Sequence, residues 1–361
     1  MESDDYSQIF QEKIELLRGV LSSRGLDALV LRKNPNLTWL SGGRVHVPMV
    51  IDTGCFDWVI TPSEAYVVTN AIEAPRLKAE ELVPWAELKI VDWWEGRDGL
   101  LPQGDRVGSD TPGAGRVDIS QEIDRLRFTL VEGDIERFKL LGQDAAVALE
   151  NVIKATKSSD REVDVAGALS AALWQKEIDL VFIGVAGERR APLYRHPLPT
   201  ADVLGSRVVA SICARRKGLI VSATRIAFLS AQEEAGLPSY AGLLEVEAAM
   251  LATTRVGASF SDPVQAAIAA YPANGFEADE WTKHHQGGPT GFLPRDWPAK
   301  PSGSIPIALN QPVAWNPTGK GLKVEDTFVV SETGLLPITT TANWPSKMTH
   351  ERARPDIFKN Y

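Results

Sequence analysis

The spacing of apolar residues changes several times along the chain, and each change marks an element. Ile9, Phe10, Ile14, Leu17, Val20 and Leu21 recur at intervals of three and four, which predicts an amphipathic helix over residues 7–24. Gly25 stands where a helix C-cap ends such a segment. Ala28-Leu29-Val30-Leu31 is an unbroken apolar run and predicts a short buried strand. Asn34-Pro35-Asn36 predicts a turn, followed by Leu37-Thr38-Trp39-Leu40 and a flexible loop at Ser41-Gly42-Gly43. Trp58-Val59-Ile60 and Ala65-Tyr66-Val67-Val68 flank Thr61-Pro62-Ser63-Glu64, which predicts a hairpin. A polar helix near 71–82 and strands near 88–92 and 106–109 follow.

Residues 101–120 are rich in Gly, Pro and Asp, yet the natural boundary lies later, near 131, where a long helix begins. Ile135, Phe138, Leu141, Ala145, Leu149 and Val152 share one face of it, and Lys157-Ser158-Ser159-Asp160 breaks it. A second helix, 161–176, carries Val163, Ala166, Leu169 and Leu173. The chain then turns β-rich at 180–185, 207–213, 219–229, 311–315 and 325–331, with a helix at 241–254. Alternating helices and short strands predict an α/β (α+β) chain of two domains, 1–130 and 131–361. No internal repeat or low-complexity tract interrupts this order.

Charge narrows the partners. Lys and Arg number 38 and Asp and Glu 47, so the net charge is 38 − 47 = −9, which argues against nucleic acid or an anionic membrane surface. No apolar run approaches the ~20 residues that span a bilayer, and Met1-Glu2-Ser3-Asp4-Asp5 is not a signal-peptide start. Cys55 and Cys213 provide neither a disulfide framework nor a CxxC zinc pair. A cytoplasmic protein is expected. No G-x-S-x-G elbow, H-E-x-x-H helix or Walker A loop occurs.

The chemistry-bearing stretches fall in a fixed order. Arg24-Gly25-Leu26-Asp27-Ala28-Leu29-Val30-Leu31 and Trp39-Leu40-Ser41-Gly42 mark the first part. The second part carries His196-Pro197-Leu198-Pro199-Thr200, then Val208-Val209-Ala210-Ser211, then Gly218 to Arg225. His284-His285-Gln286-Gly287-Gly288-Pro289-Thr290-Gly291, Trp315-Asn316-Pro317 and Lys323-Val324-Glu325-Asp326-Thr327 follow. In order and spacing these resemble the creatinase, aminopeptidase P and prolidase superfamily, over nearly the whole chain. The resemblance implies a creatinase-type N-terminal α/β domain followed by a pita-bread C-terminal domain, and a homodimer.

Peptidases of that fold hold two divalent metals with two Asp, one His and two Glu. The resemblance places those positions at Ser211, Ser222, Gly288, Asn316 and Glu325. Four of the five are then neutral and one carboxylate remains, too little anionic oxygen for two dications. No metal and no other cofactor is therefore expected. His196 corresponds to the family histidine that contacts substrate and that serves as general acid/base in metal-free creatinase. His284 matches the start of the family's HxxGH motif. The expected catalytic residues are His196 and Glu325, the latter orienting a water or binding a cationic group. The expected substrate-binding residues are His284, His285, Asn316, Ser211, Ser222 and Arg44, with Arg44 reaching a neighbouring subunit's site. Arg225 reads as a structural ion pair, and Arg215-Arg216-Lys217 as a solvated turn.

Three functions follow. One is a metal-independent, creatinase-like enzyme that cleaves a C–N bond of a small polar compound. The others are an inactive binding protein, such as the histone-binding and ribosome-associated relatives of this fold, and a metal-dependent Xaa-Pro peptidase.

Overall fold

A computed structural model describes residues 3–111, 113–231 and 239–361, with side chains from Tyr6 onward. The chain divides into two compact units, Met1–Asp134 and Ile135–Tyr361.

The first unit opens with helix α1 (Ser3–Arg24), whose apolar stripe Ile9, Phe10, Ile14, Leu17 and Leu21 is buried. Gly25 ends it with φ of 62°, a left-handed conformation that glycine adopts without strain. Strand β1 (Ala28–Lys33) follows, then helix α2 (Asn34–Ser41). The expected turn at Asn34-Pro35-Asn36 is thus the first turn of a helix. Proline is tolerated there because that N–H has no helical partner, and burial of Leu37, Trp39 and Leu40 carries the helix onward. Gly42 closes it in the left-handed region, with its N–H bonded to the Thr38 carbonyl.

Strands β2 (Thr53–Ile60) and β3 (Ala65–Asn70) form the predicted hairpin. The helix expected over 71–82 is shorter: one turn, α3 (Ala74–Arg76), running into a π-turn at Leu77–Glu81. Strands β4 (Glu87–Val91), β5 (Val107–Ser109) and β6 (Val117–Asp118) complete a six-stranded sheet of order β4-β3-β2-β1-β5-β6. Helix α4 (Ser120–Arg127), which no apolar period announces, leads to α5 (Glu132–Ala155). Within this unit Lys13 is buried, 2.6 Å from Asp134 and donating to the Trp39 carbonyl at 2.5 Å.

In the second unit α5 buries Phe138, Leu141, Ala145 and Leu149 as predicted. Helix α6 (Glu162–Trp174) buries Val165, Leu169 and Leu173, whereas Val163 faces solvent. Strands β7 (Asp179–Gly187), β8 (Arg207–Arg216) and β9 (Leu219–Phe228) form a long antiparallel meander. Helices α7 (Tyr240–Thr253) and α8 (Ser261–Ala273) cover it, α8 being unpredicted. A second sheet has order β10-β11-β14-β15. It contains β10 (Gly287–Pro289), β11 (Pro312–Trp315), β14 (Asp326–Ser331) and β15 (Gly334–Pro337), with the small pair β12 (Thr318–Gly319) and β13 (Leu322–Lys323) between. Strands β16 (Ser346–Thr349) and β17 (Arg352–Pro355) pair with each other, and β18 (Phe358–Lys359) joins β9 in parallel.

The two sheets meet along β9. Thr224 N donates to the Glu325 carbonyl, and Ile220 N to the Gly291 carbonyl. The Thr327 hydroxyl accepts from Ser222 N at 2.8 Å and donates to the Ser222 carbonyl at 2.9 Å. Behind this seam lies a buried charge network: Arg225 pairs with Glu150 and Asp326, and Arg354 with Asp326 and Glu247. Arg225 is therefore structural. Arg215 and Arg216 are not merely solvated, since they pair with Asp179 and Asp144.

Candidate active site

Residues 211 and 213 on β8 and 222 and 224 on β9 alternate onto one face of the meander. Ser211 lies opposite Thr224, and Cys213 opposite Ser222. Their side chains touch, Ser211 Oγ to Thr224 Oγ1 at 2.7 Å and Cys213 Sγ to Ser222 Oγ at 3.3 Å. The same face receives Asn316 from the end of β11 and Glu325 from the start of β14.

Glu325 is 4% exposed, and both of its oxygens are taken. Oε2 accepts from Thr224 Oγ1 at 2.9 Å and lies 2.8 Å from Lys323 Nζ. Oε1 accepts from Asn316 Nδ2 at 3.2 Å and faces Arg295 Nη2 at 3.7 Å. Because Thr224 spends its one proton on Glu325, Ser211 donates to Thr224 and accepts from Lys323 Nζ at 3.4 Å. Lys323 and Arg295 overcome the burial penalty and hold the Glu325 carboxyl below its ordinary range. Glu325 is the counter-ion of two buried cations, with no oxygen left over for a cationic ligand.

Above it converge three histidines. His284 Nε2 lies 2.9 Å from His196 Nε2, so one ring donates and the other accepts, and the pair includes a neutral imidazole. His285 stacks on His284 with centroids 4.3 Å apart. Burial lowers the pKa of all three, and the Lys323 charge adds to it. His284 falls to about 2 and His285 to about 4, where Arg295 is the second cause. His196, the most exposed of the three, moves in the same direction. The shifts favour the neutral form of all three rings, beside the buried Lys323, Arg295 and Glu325.

Several buried polar atoms here make no hydrogen bond: Asn316 Oδ1, His285 Nδ1 and Thr318 Oγ1 among them. Groups of this kind await a ligand or water. A small, partly open cavity of about 20 Å³ lies beside the His196 loop.

The donor set does not fit a dinuclear metal centre. Its single carboxylate is shared by Lys323 and Arg295. At Gly288 the backbone has φ of 149°, and a Cβ there would meet the Trp297 carbonyl at 2.5 Å, so no side chain enters at that position without movement of the 297–299 segment. Gly287 and Gly288 form a strand, β10, paired with Trp315 and Ala314. One ring nitrogen from each of His196, His284 and His285 lies within 4.8 Å of the others, a spacing that a single transition metal could use. The field of Lys323 opposes a dication there and favours an anion.

The structure brings together Ser211, Ser222, His196, His284, His285, Asn316 and Glu325. Arg44 lies in the first unit, where its Nε donates to Glu81 Oε1 at 2.9 Å and its N–H to Oε2 at 2.7 Å. Sequence reasoning missed Lys323, Thr224, Arg295 and Thr318. Lys323 stood two residues before Glu325, the spacing that puts both on one face of an extended segment. Arg295 sits in an irregular loop with no period to announce it.

Neither a family model nor a curated protein sequence matches the chain. Solved structures do. The prolidase from Pyrococcus horikoshii matches 91% of this chain and 98% of its own, at 17% identity and a TM-score of 0.77. The Xaa-Pro dipeptidase from Bacillus anthracis matches 97% and 99%, at 17% and 0.76. The N-terminal domain of FACT complex subunit SPT16 from Cicer arietinum matches 92% and 96%, at 13% and 0.66. The chain has the fold of these proteins: the pita-bread fold, preceded by a creatinase-type α/β domain.

Proposed function

We propose that this protein hydrolyses a C–N bond of a small polar compound without a metal, with His196 as the general base and then the general acid. The observation that carries the reading is the pair of cations, Lys323 and Arg295, seated around Glu325 beneath a neutral imidazole cluster. A neutral imidazole can take a proton from water and return it to the leaving nitrogen. The water oxygen bonds to carbon, the C–N bond breaks, and the nitrogen leaves protonated. Lys323 is placed to stabilise an oxyanion formed on the way, because positive charge fixed in a desolvated site costs no reorganisation during reaction. Asn316, held through its amide nitrogen by Glu325, leaves Oδ1 open to accept a substrate N–H. Glu325 then acts as a positioning residue for Lys323 and Asn316.

The test is amine release from guanidino, amidino and amide compounds in the presence of chelator. His196→Ala is expected to abolish turnover with the fold intact. Hydrolysis of an Xaa-Pro dipeptide that chelator stops would overturn the reading in favour of a metallopeptidase. A second reading, a binding protein without catalysis, draws fold-level support from the FACT subunit domain. It prevails if no turnover is found and His196→Ala leaves binding to a macromolecule unchanged. Homodimerisation, with Arg44 serving a second copy's pocket, belongs to the first reading and is checked by sedimentation and by Arg44→Ala kinetics.

A further inference from the structure

His196 and His284 face each other through like nitrogens, Nε2 to Nε2 at 2.9 Å, and one proton serves the contact. Two neutral imidazoles bond this way only if one presents an N–H and the other a lone pair. Each neutral ring carries a single proton, so the choice made at the contact also fixes the far nitrogen of both rings. If His284 donates, His196 holds its own proton on Nδ1 and has no lone pair left to act as a base. If His196 donates, its Nδ1 is a free lone pair.

The surroundings of His284 decide between the two. Its ring is buried and stacks on His285 at 25°, with centroids 4.3 Å apart, which holds its plane. With Nε2 turned to His196, the nitrogen that remains is Nδ1. The main chain of His285 interacts with this ring in the sense that favours a proton on it, which a carbonyl oxygen does and an N–H does not. A lone pair at Nδ1 would set acceptor against acceptor in a buried position, a costly arrangement. A proton at Nδ1 removes the conflict. His284 Nε2 is then the lone pair and His196 Nε2 the N–H. His196 is the exposed member of the pair, and among the described residues its Nδ1 has no hydrogen-bond partner.

We propose that His284 is a positioning residue that holds His196 as the tautomer protonated on Nε2, so that Nδ1 is the nitrogen that takes the proton from water. The inference rests on the reading of His196 as the base. In the step, a water O–H breaks, its proton goes to His196 Nδ1, and the oxygen bonds to the substrate carbon. The imidazolium so formed keeps Nε2–H on the His284 lone pair, and a charge-assisted hydrogen bond is stronger than the neutral one it replaces. The proton on Nδ1 passes to the leaving nitrogen as the C–N bond breaks. His284 neither gains nor loses a proton.

The experiment records two-bond proton–nitrogen correlations of the imidazole rings in full-length, ¹⁵N-histidine-labelled protein without substrate. A mildly alkaline pH is used, where an ordinary imidazole is already neutral. Nitrogen–nitrogen coupling across the N–H···N bond picks out the pair, and loss of one ring's signals in His196→Ala, a change at an exposed residue, tells the two apart. A protonated Nε2 and bare Nδ1 are expected in His196, and the reverse in His284. The opposite assignment, or nitrogens averaged between tautomers in either ring, overturns the proposal, and both are read in the unaltered protein. His284→Leu, if folded, is expected to release the His196 nitrogens toward averaging. On an accepted substrate it should lower kcat about tenfold or more with KM little changed, the scale of one lost hydrogen bond to a charged group. A folded His284→Leu protein with wild-type His196 nitrogens also overturns the proposal. The expected tautomers in a protein without turnover would keep this assignment and sink the reading of His196 as a base; turnover with the opposite tautomers would do the reverse.

Discussion

Glu325→Gln removes the only carboxylate between two buried cations while keeping the side chain's shape. At an effective dielectric near 20, the 2.8 Å contact with Lys323 is a gross attraction of about 6 kcal/mol and the 3.7 Å contact with Arg295 about 4.5 kcal/mol. Most of that is offset by desolvation, but breaking a buried pair from one side leaves the other side uncompensated, at about 3–5 kcal/mol. Here Lys323 loses its carboxylate partner and Arg295 keeps Asp296, so the loss is expected within that range. Lys323→Met should cost less, about 3 kcal/mol, because Arg295 still faces Glu325. The double variant should recover part of the sum, since it removes both members of the Lys323–Glu325 pair. Urea unfolding followed by the fluorescence of buried Trp315 measures all three. A cost below about 1 kcal/mol for Glu325→Gln would refute the idea that the pocket is held by its own cations. So would a wild-type protein whose melting temperature rises sharply with manganese.

Other outcomes follow from the same geometry. On an accepted substrate, kcat/KM should rise with pH through an apparent pKa below 6.5, because burial and Lys323 depress His196 and the neutral ring is the base; His196→Ala should lose about 10²–10⁴-fold. The buried His284, lowered to about 2, contributes stability that is complete above about pH 6.5 and is lost as pH falls; about 2 kcal/mol should be gone by pH 5, and His284→Asn should flatten that part of the stability curve. Gly288→His should destabilise the fold, its Cβ meeting the Trp297 carbonyl, and should retain no manganese or zinc after desalting. Asp326→Asn should cost about 3–5 kcal/mol by unfolding Arg225 and Arg354 from their shared partner, read by the same urea titration.

What the sequence made legible was whatever obeys a local period. The α1 stripe, the β2–β3 hairpin and the long α5 face follow from spacing alone, since each buries one side of a regular element. Helix α2 was misread because Asn-Pro-Asn serves a turn and a helix start equally well, and the deciding term is the burial of Trp39 and Leu40. Helix α8 carries two prolines, Pro263 and Pro272, and many alanines, so no strong apolar stripe marks it. In the site, the order of motifs brought His196, His284, Asn316 and Glu325 to one pocket. Their electrostatic roles were not legible. Glu325 reads as a residue that orients a water or binds a cationic group, because its partner Arg295 comes from a loop thirty residues away with no pattern of its own. The cross-strand contact of Ser211 is with Thr224, a pairing fixed by hairpin register rather than by the eleven-residue interval to Ser222.

The tight passage of the chain at Gly288 bears on the order in which changes can accumulate. The segment from Trp297 to Ala299 packs against the bare α-carbon, and the Ala299 N–H bonds to the Gly287 carbonyl. A histidine arriving there first would meet a closed wall, while a wall that moved first would break a bond for no immediate return. Acidic residues at 211 and 222 would likewise arrive among Lys323 and Arg295 as partners for those cations before any metal could claim them. Each single step toward a metal centre is therefore absorbed or opposed by what already surrounds it. A laboratory attempt to build such a centre in this chain should begin with the 295–299 loop and only then add ligands.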